Sequence, residues 1–410
     1  MRLTVERSEW ARGWPLVLMS SLGIMLSAAF AGGLSTSLTT IEQEMGWSRT
    51  AITAGPMIAA AIPLLMGPFS GMLIDRLGPR RIVRISIPLY AMAVASLGMA
   101  GPGQVGWFAS WAAIGALTPF VGPLVWTIGL SRCFEANRGT AFAFAMSGVG
   151  LAHFLTPLIS VAMLDWFSWR AVFPAVAGFA FLAVYPLVLL LFRPAASGAE
   201  DAEASVELPG MEVREIFTSY CFWVIALVVV LQYGALGTLF VHLQPIYVGA
   251  GLDAVAAAQY ASTMGIALII GRLLGGYIVD RVSARHVAAA VTMLPILACV
   301  LLLKGPGSPW IALVVPMLVG FSMGSEGDII AYMTAKYFGP KNFGSAFSIY
   351  MALYAVGYAF ASVIGGAVYD ALGSYDKVLQ VIAVALAVAA MLVLTIGRPP
   401  QFSLQRRDIA

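Results

Sequence analysis

This sequence has little charge. Only 10% of its 410 residues are charged while 60% are hydrophobic, whereas a soluble globular chain carries about 25% charged residues. That shortage excludes a water-facing surface over most of the chain. Cysteine and histidine are scarce too, with three of each. Cys133, Cys221 and Cys299 lie far apart and no Cys/His cluster has ligand spacing, so no disulfide framework, metal site or cofactor is expected. No nucleophile–base pair stands out, which argues against an enzyme. No nucleic-acid partner is expected either.

What the sequence has instead is long apolar runs. They fall at roughly 14–38, 51–74, 82–101, 105–131, 139–164 and 171–192, and again at 218–243, 255–279, 286–303, 310–335, 343–368 and 377–397. Runs of this length read as membrane helices. The first is longer than the apolar part of a signal peptide and is read as a retained helix. The expectation is an all-α polytopic membrane protein of twelve transmembrane helices. Residues 1–192 and 218–397 would form two six-helix bundles, joined by a cytoplasmic linker at 193–217 and followed by a cytoplasmic tail at 398–410.

Positive charge is unevenly placed. With the N-terminus inside, 18 of the 23 Lys and Arg residues fall on the inner side, four (Arg49, Arg170, Lys304, Lys377) on the outer side, and Arg272 within a span. Such a bias puts both termini and the linker in the cytoplasm, and the chain in the inner (plasma) membrane.

The halves repeat with an offset of 205 residues. Gly71-x-x-x-Asp75-Arg76 matches Gly276-x-x-x-Asp280-Arg281, Gly139-Thr-Ala-Phe142 matches Gly344-Ser-Ala-Phe347, and Asp165 matches Asp370. Three separated coincidences at one offset imply two similar bundles with a pathway between them near the midplane.

The segment GMLIDRLGPRR at 71–81 and its echo at 276–285 resemble the signature between helices 2 and 3 of the major facilitator superfamily. Finer features resemble the monocarboxylate porter and oxalate/formate antiporter branch. These are EMGWSRTAIT at 44–53, RGTAFAFAMSGVG at 138–150, GSEGDIIAYMTAKYFGPKNFG at 324–344 and an arginine late in the eighth span. The resemblance covers essentially the whole chain. It implies carriage of small carboxylates, often with a proton, by alternating access.

A charge at membrane depth is costly and by default marks a functional site. Arg272 lies eight residues before Asp280, about 12 Å inward from the membrane's inner edge. Its repeat partner is Gly67, so the charge is not shared scaffold. A guanidinium stays protonated and offers a planar fork of donors to a carboxylate. The bland alternative is a permanent salt bridge to the tenth span. Glu326 and Asp328, the only acids inside predicted spans, match its depth. They are candidates for its resting partner or for proton coupling, unless they hold helices together or cap a break at Gly320, Gly324 and Gly327.

His153 in the fifth span is a further candidate for proton relay, or an interhelical hydrogen-bonder. Tyr332, with Tyr350, Tyr354 and Tyr358 on one face of the eleventh span, offers hydroxyls to an anion or simply packs. Tyr332, Tyr354 and Tyr358 join Arg272 as the expected substrate contacts. His242 and Gln244 lie near the outer end of the seventh span, as vestibule or interface residues. On the inner side Asp75 and Asp280 can face the positive N-terminal ends of the eleventh and fifth helices. With Arg76, Arg80, Arg81, Arg138, Arg281 and Glu135 they are read as a gating latch, or as topology and lipid anchors.

The pattern departs from the resembled branch. The first span has no lysine, Leu268 stands four residues before Arg272, and the eleventh span has no Lys or Arg. A single buried cation points to a monoanion rather than a dianion. The expectation is therefore a monomeric secondary transporter of a small organic monoanion, a monocarboxylate first, with proton symport as a weaker expectation. The alternatives are an anion antiporter or a drug or sugar exporter on the same scaffold. From another class comes a non-transporting membrane sensor, for which linker and tail leave little room.

Overall fold

An apolar run in hydrocarbon closes into helix because its backbone amides have no partner outside their own segment. A computed structural model describes residues 2–123, 125–126, 130, 133–134, 138–191, 210–279, 281–339 and 341–400. Its long helices are α1 (Arg2–Met45), α2 (Arg49–Leu77), α3 (Pro79–Ser96), α4 (Gln104–Val121), α5 (Gly148–Trp166) and α6 (Trp169–Leu191). The second series is α7 (Tyr220–Gly249), α8 (Ala254–Val279), α9 (Ala284–Lys304), α10 (Pro309–Phe338), α11 (Phe343–Leu372) and α12 (Asp376–Thr395). Among the described residues, ten helices are long and apolar enough to cross a membrane; α2 and α4 complete the twelve.

Local chemistry sets the ends. Gly46 with φ 66° closes α1, and the Ser48 side chain then caps α2 by accepting from the Ala51 amide. Gly373 ends α11 in the left-handed region at φ 68°, where a side chain would be strained. The structure extends the predicted spans: α1 covers 44 residues, about 66 Å at helical rise, and so runs past the membrane core. The fifth span is divided. A short helix, Arg138–Met146, precedes Ser147, and α5 then begins at Gly148, where the backbone meets Ser21 of α1 too closely for any side chain.

The repeat is visible in the packing. In the first half α1 packs on α5 and α6, α2 on α4, and α3 on α4 and α6; in the second half α7 packs on α11 and α12, α8 on α10, and α9 on α10 and α12. Adding six to each helix number converts one set into the other. The two six-helix bundles meet through α1–α7, α2–α11 and α5–α8.

Small residues allow these approaches. Along the α8–α10 seam a Cβ at Gly271 would strike Phe321, at Gly275 Ser325, at Gly320 Met264 and at Gly324 Leu268. Gly320, Gly324 and Gly327 therefore do not break α10, which is continuous from Pro309 to Phe338. The first two let α8 lie backbone to backbone against it, as small-xxx-small patterns do in membranes. At α5–α8, Gly150 and Gly265 each leave no room for a Cβ against the other helix.

Candidate functional site

The α8–α10 seam brings Arg272 beside Asp328. Nη1 stands 3.7 Å from Oδ1, with the arginine side chain 15% exposed and the aspartate side chain 37%. That separation is an ion pair without a hydrogen bond. Nε of Arg272 has no hydrogen-bond partner among the described residues. The guanidinium is thus held by charge, with Nε left without a hydrogen-bond acceptor among the described residues.

Of the two acids at matching depth, only Asp328 pairs with Arg272. Glu326 is 1% exposed, and its Oε2 has no partner among the described residues. Two residues along a helix are about 200° apart, so the acids face different neighbours. One turn back on Glu326's side, the Ser322 hydroxyl accepts from Gln232 Nε2 of α7 at 2.9 Å.

Tyrosines converge here. Tyr354 of α11 meets Tyr233 of α7 edge to face, with centroids 4.1 Å apart, and Tyr358 follows at 6.0 Å from Tyr354. Tyr233 carries its hydroxyl to 3.6 Å from where a Cβ of Gly327 would stand, between the two acids. Sequence reasoning missed Tyr233, although the repeat could have exposed it: its counterpart is Ala28, just as that of Arg272 is Gly67. Tyr350 is buried, donates to the Phe222 carbonyl at 3.2 Å and stacks on Phe222, so it is a strut. Tyr332 is turned toward Lys336, whose Nζ lies 5.5 Å from the ring centroid.

His153 is buried where α5 meets α7. Its Nδ1 bonds to the Val149 carbonyl at 2.8 Å, its ring lies 4.3 Å from that of Phe240, and Nε2 has no partner among the described residues. Its backbone touches Gly265, seven residues and about 10 Å along α8 from Arg272. His153 belongs to the bundle interface and stands apart from the Arg272 cluster.

On the inner-side latch the structure is partial. Asp280 and Glu135 lie outside the described residues, as do the side chains of Asp75 and Arg138. Arg76 and Arg81 are exposed and Arg80 is half-buried. Arg281 folds back on its own helix, donating to the Tyr277 carbonyl at 2.9 Å over the Tyr277 ring. The end of the predicted linker docks on the second bundle: the Met211 amide donates to Phe338, Asn342 donates to the Met211 carbonyl, and Glu212 pairs with Lys341.

The opposite face, which carries the α1–α2, α7–α8 and α11–α12 turns, is closed by contacts between the bundles. Ser35 of α1 donates to the carbonyls of Phe240 and Val241 at 3.2 and 3.0 Å. Pro245 lacks an N–H, so Val241 has no helical donor four residues on; Ser35 supplies it from the other bundle. Asp370 of α11 accepts from the Arg49 and Thr50 amides at 3.1 and 2.9 Å, capping α2 across the interface.

The helical fold agrees with comparisons to known proteins. The chain is 24% identical to mouse monocarboxylate transporter 12 over 278 residues, which span 60% of this chain and 57% of that protein. It is 25% identical to a Mycobacterium tuberculosis protein named as nitrate/nitrite transporter NarK2, over 88% of this chain and 89% of the other. A bacterial homologue of the human lysosomal transporter Spinster, solved inward-facing and unoccupied, superposes with a TM-score of 0.77 at 15% identity, covering 93% and 96% of the two chains. The D-xylose–proton symporter gives 0.71 at 14% identity, covering 96% and 99%. These are transporters, not enzymes. Residues 20–332 match the Major Facilitator Superfamily as a whole, and this multi-pass membrane transporter belongs to that family.

Proposed function

We propose that this transporter moves a small organic monoanion, a monocarboxylate first, by rocking its two bundles around Arg272. The observation that carries this reading is the unbonded ion pair: a guanidinium 3.7 Å from Asp328, with Nε lacking a hydrogen-bond partner among the described residues. A substrate carboxylate replaces Asp328 as the closer partner, and Tyr354, Tyr358 and Tyr233 flank it with hydroxyls. Binding by exchange of one carboxylate for another keeps the buried cation compensated throughout, which avoids the cost of an unpaired intramembrane charge. Two similar proteins are named for monocarboxylate and for nitrate or nitrite, and both names denote monoanions.

The same reading takes Glu326 or Asp328 as the acid that accompanies a proton, with His153 as a relay at the interface. It takes residues 1–192 and 218–397 as the two rocking units, the monomer as the functional unit and both termini as cytoplasmic. Asp75, Arg76, Arg80, Arg138, Asp280 and Arg281 serve as the inner gate.

Counterflow in proteoliposomes tests the anchor. Arg272→Ala, and Arg272→Lys with its single point charge, are each expected to cut uptake of the preferred carboxylate at least about tenfold, the loss of one charged contact in a dry site. Uptake surviving in both variants would dismiss the anchor. Proton symport is tested separately: acidifying the outer side should drive uptake, and pH-independent exchange would replace symport with antiport.

A further inference from the structure

The far face contains a buried titratable side chain that transport chemistry around Arg272 does not use. His242 of α7 is fully buried, with both ring nitrogens engaged: Nε2 lies 2.9 Å from the Ser362 carbonyl and Nδ1 lies 2.8 Å from the Tyr375 hydroxyl. A carbonyl only accepts, so Nε2 carries the hydrogen. Arg49 Nη1 donates to the same Tyr375 oxygen at 2.6 Å. The Tyr375 hydrogen then points at Nδ1, which must be an acceptor. The chain Arg49 to Tyr375 to His242 to Ser362 runs in one direction and is complete only when the imidazole is neutral.

This chain is bound to the closure between the bundles. Arg49 is the first residue of α2. Its Nε pairs with Glu42 at 2.9 Å, its guanidinium lies 3.6 Å over the Tyr369 ring of α11, and its backbone amide is capped by Asp370. Thr50 adds its amide and hydroxyl to the same carboxylate at 2.9 and 2.5 Å. Gly365 on α11 makes room for the imidazole; a Cβ there would stand 3.3 Å from the ring. The titratable and charged groups facing His242 are thus Glu42 of α1, Arg49 of α2, Tyr369 and Asp370 of α11, and Tyr375 before α12. Both acids are already committed, Glu42 to the guanidinium and Asp370 to the start of α2.

We propose that His242 is a proton-binding site coupled to opening of the far face. A proton on Nδ1 turns it into a donor. Tyr375 then faces donors from both His242 and Arg49, its own hydrogen must turn away, and two cations flank one hydroxyl. The closed arrangement therefore prefers neutral His242, and by linkage the proton prefers the arrangement in which Arg49 and α2 have parted from Tyr375 and α11. Acid on that side opens it. This goes beyond the anion reading and does not depend on Arg272.

Spin labels placed at the exposed residues Gln43 of α1 and Leu372 of α11, in a background with Cys133, Cys221 and Cys299 replaced, read the gap between bundles by pulsed dipolar spectroscopy. The full chain in lipid nanodiscs, without anion, is measured from pH 8 to pH 5. The long-distance fraction should rise on acidification, by no more than about tenfold per pH unit for one coupled proton. His242→Gln, whose amide can donate to Ser362 and accept from Tyr375, should stay closed and lose most of that response. Tyr375→Phe keeps the histidine but cuts its tie to Arg49, and should lose the response as well, which serves if the first variant does not fold. Asp370→Asn should open at every pH yet keep the slope. A full pH response in either His242→Gln or Tyr375→Phe overturns the proposal, as does a wild type without one. Because no substrate is present, failure of the Arg272 anchor leaves these outcomes unaffected.

Discussion

At the scale of single residues, the centre is organised by who holds whom. Asp328 holds Arg272 by charge alone, at 3.7 Å. If it is the resting competitor of the substrate, removing its charge frees the anchor. Asp328→Asn should tighten anion binding by about threefold or more, since a site no longer partly occupied by its own counter-ion needs less ligand. Isothermal titration on purified protein reads this directly, and weaker binding would make Asp328 a substrate ligand rather than a rival. Tyr233 places its hydroxyl beside Gly327 between the two acids. Tyr233→Phe should weaken binding about threefold to tenfold, the value of one hydrogen bond, while leaving the edge-to-face contact with Tyr354 intact.

At the scale of helices, the site exists because α8 and α10 touch. Gly324 and Gly320 face backbone of α8, and Gly271 and Gly275 face α10. A methyl at Gly324 has nowhere to go without pushing the helices apart. Gly324→Ala should cost about 1–3 kcal/mol by overpacking, seen as a lower melting temperature in detergent and a loosened Arg272–Asp328 pair. Gly178→Ala on α6, where a Cβ meets nothing within 4 Å, is the control and should be neutral. Pro245 creates a second dependence between elements. Ser35→Ala removes the donor that replaces its missing N–H at Val241. An interhelical bond in a membrane is worth about 0.6 kcal/mol on average, so the far face should open about threefold more often, measured as the long-distance fraction between spin labels at Gln43 and Leu372.

At the scale of the whole molecule, the repeat is close but the far-face closure is one-sided. Asp370 bridges to α2, whereas its counterpart Asp165 is exposed on α5. The start of α8 is served instead by its own Asp253, which accepts from the Val255 and Ala256 amides. The two interfaces therefore differ in kind: polar and breakable at α2–α11, glycine-packed at α5–α8 through Gly150 and Gly265. Opening of the far face should begin at α2–α11 with α5–α8 as the pivot. A disulfide between cysteines at Thr50 and Asp370 should abolish transport reversibly, while widening the pivot by Gly265→Leu should destabilise the protein rather than trap it. Transport persisting under the Thr50–Asp370 cross-link would contradict this order of events.

The twelve helices and their pairing into two bundles were legible in the chain alone, and Arg272 stood out there as a candidate because a charge at membrane depth is costly. Hydrocarbon leaves apolar segments only one way to satisfy their backbones, and a duplicated sequence duplicates its packing. The sequence also matched Glu326 and Asp328 in depth to Arg272, because rise along a helix is fixed. It could not choose between them: depth follows from residue count, but the facing neighbour depends on how each helix is rotated against the next. Rotation is set by the glycine seam, which placed Asp328 at the guanidinium and turned Glu326 away. The same cause hid Tyr233, brought in by the packing of α7, and the chain from Arg49 through Tyr375 to His242, whose members lie up to 326 residues apart. Composition and spacing determined what this protein is. Helix rotation and contact between the bundles, which no local signal encodes, decided which of its polar groups meet.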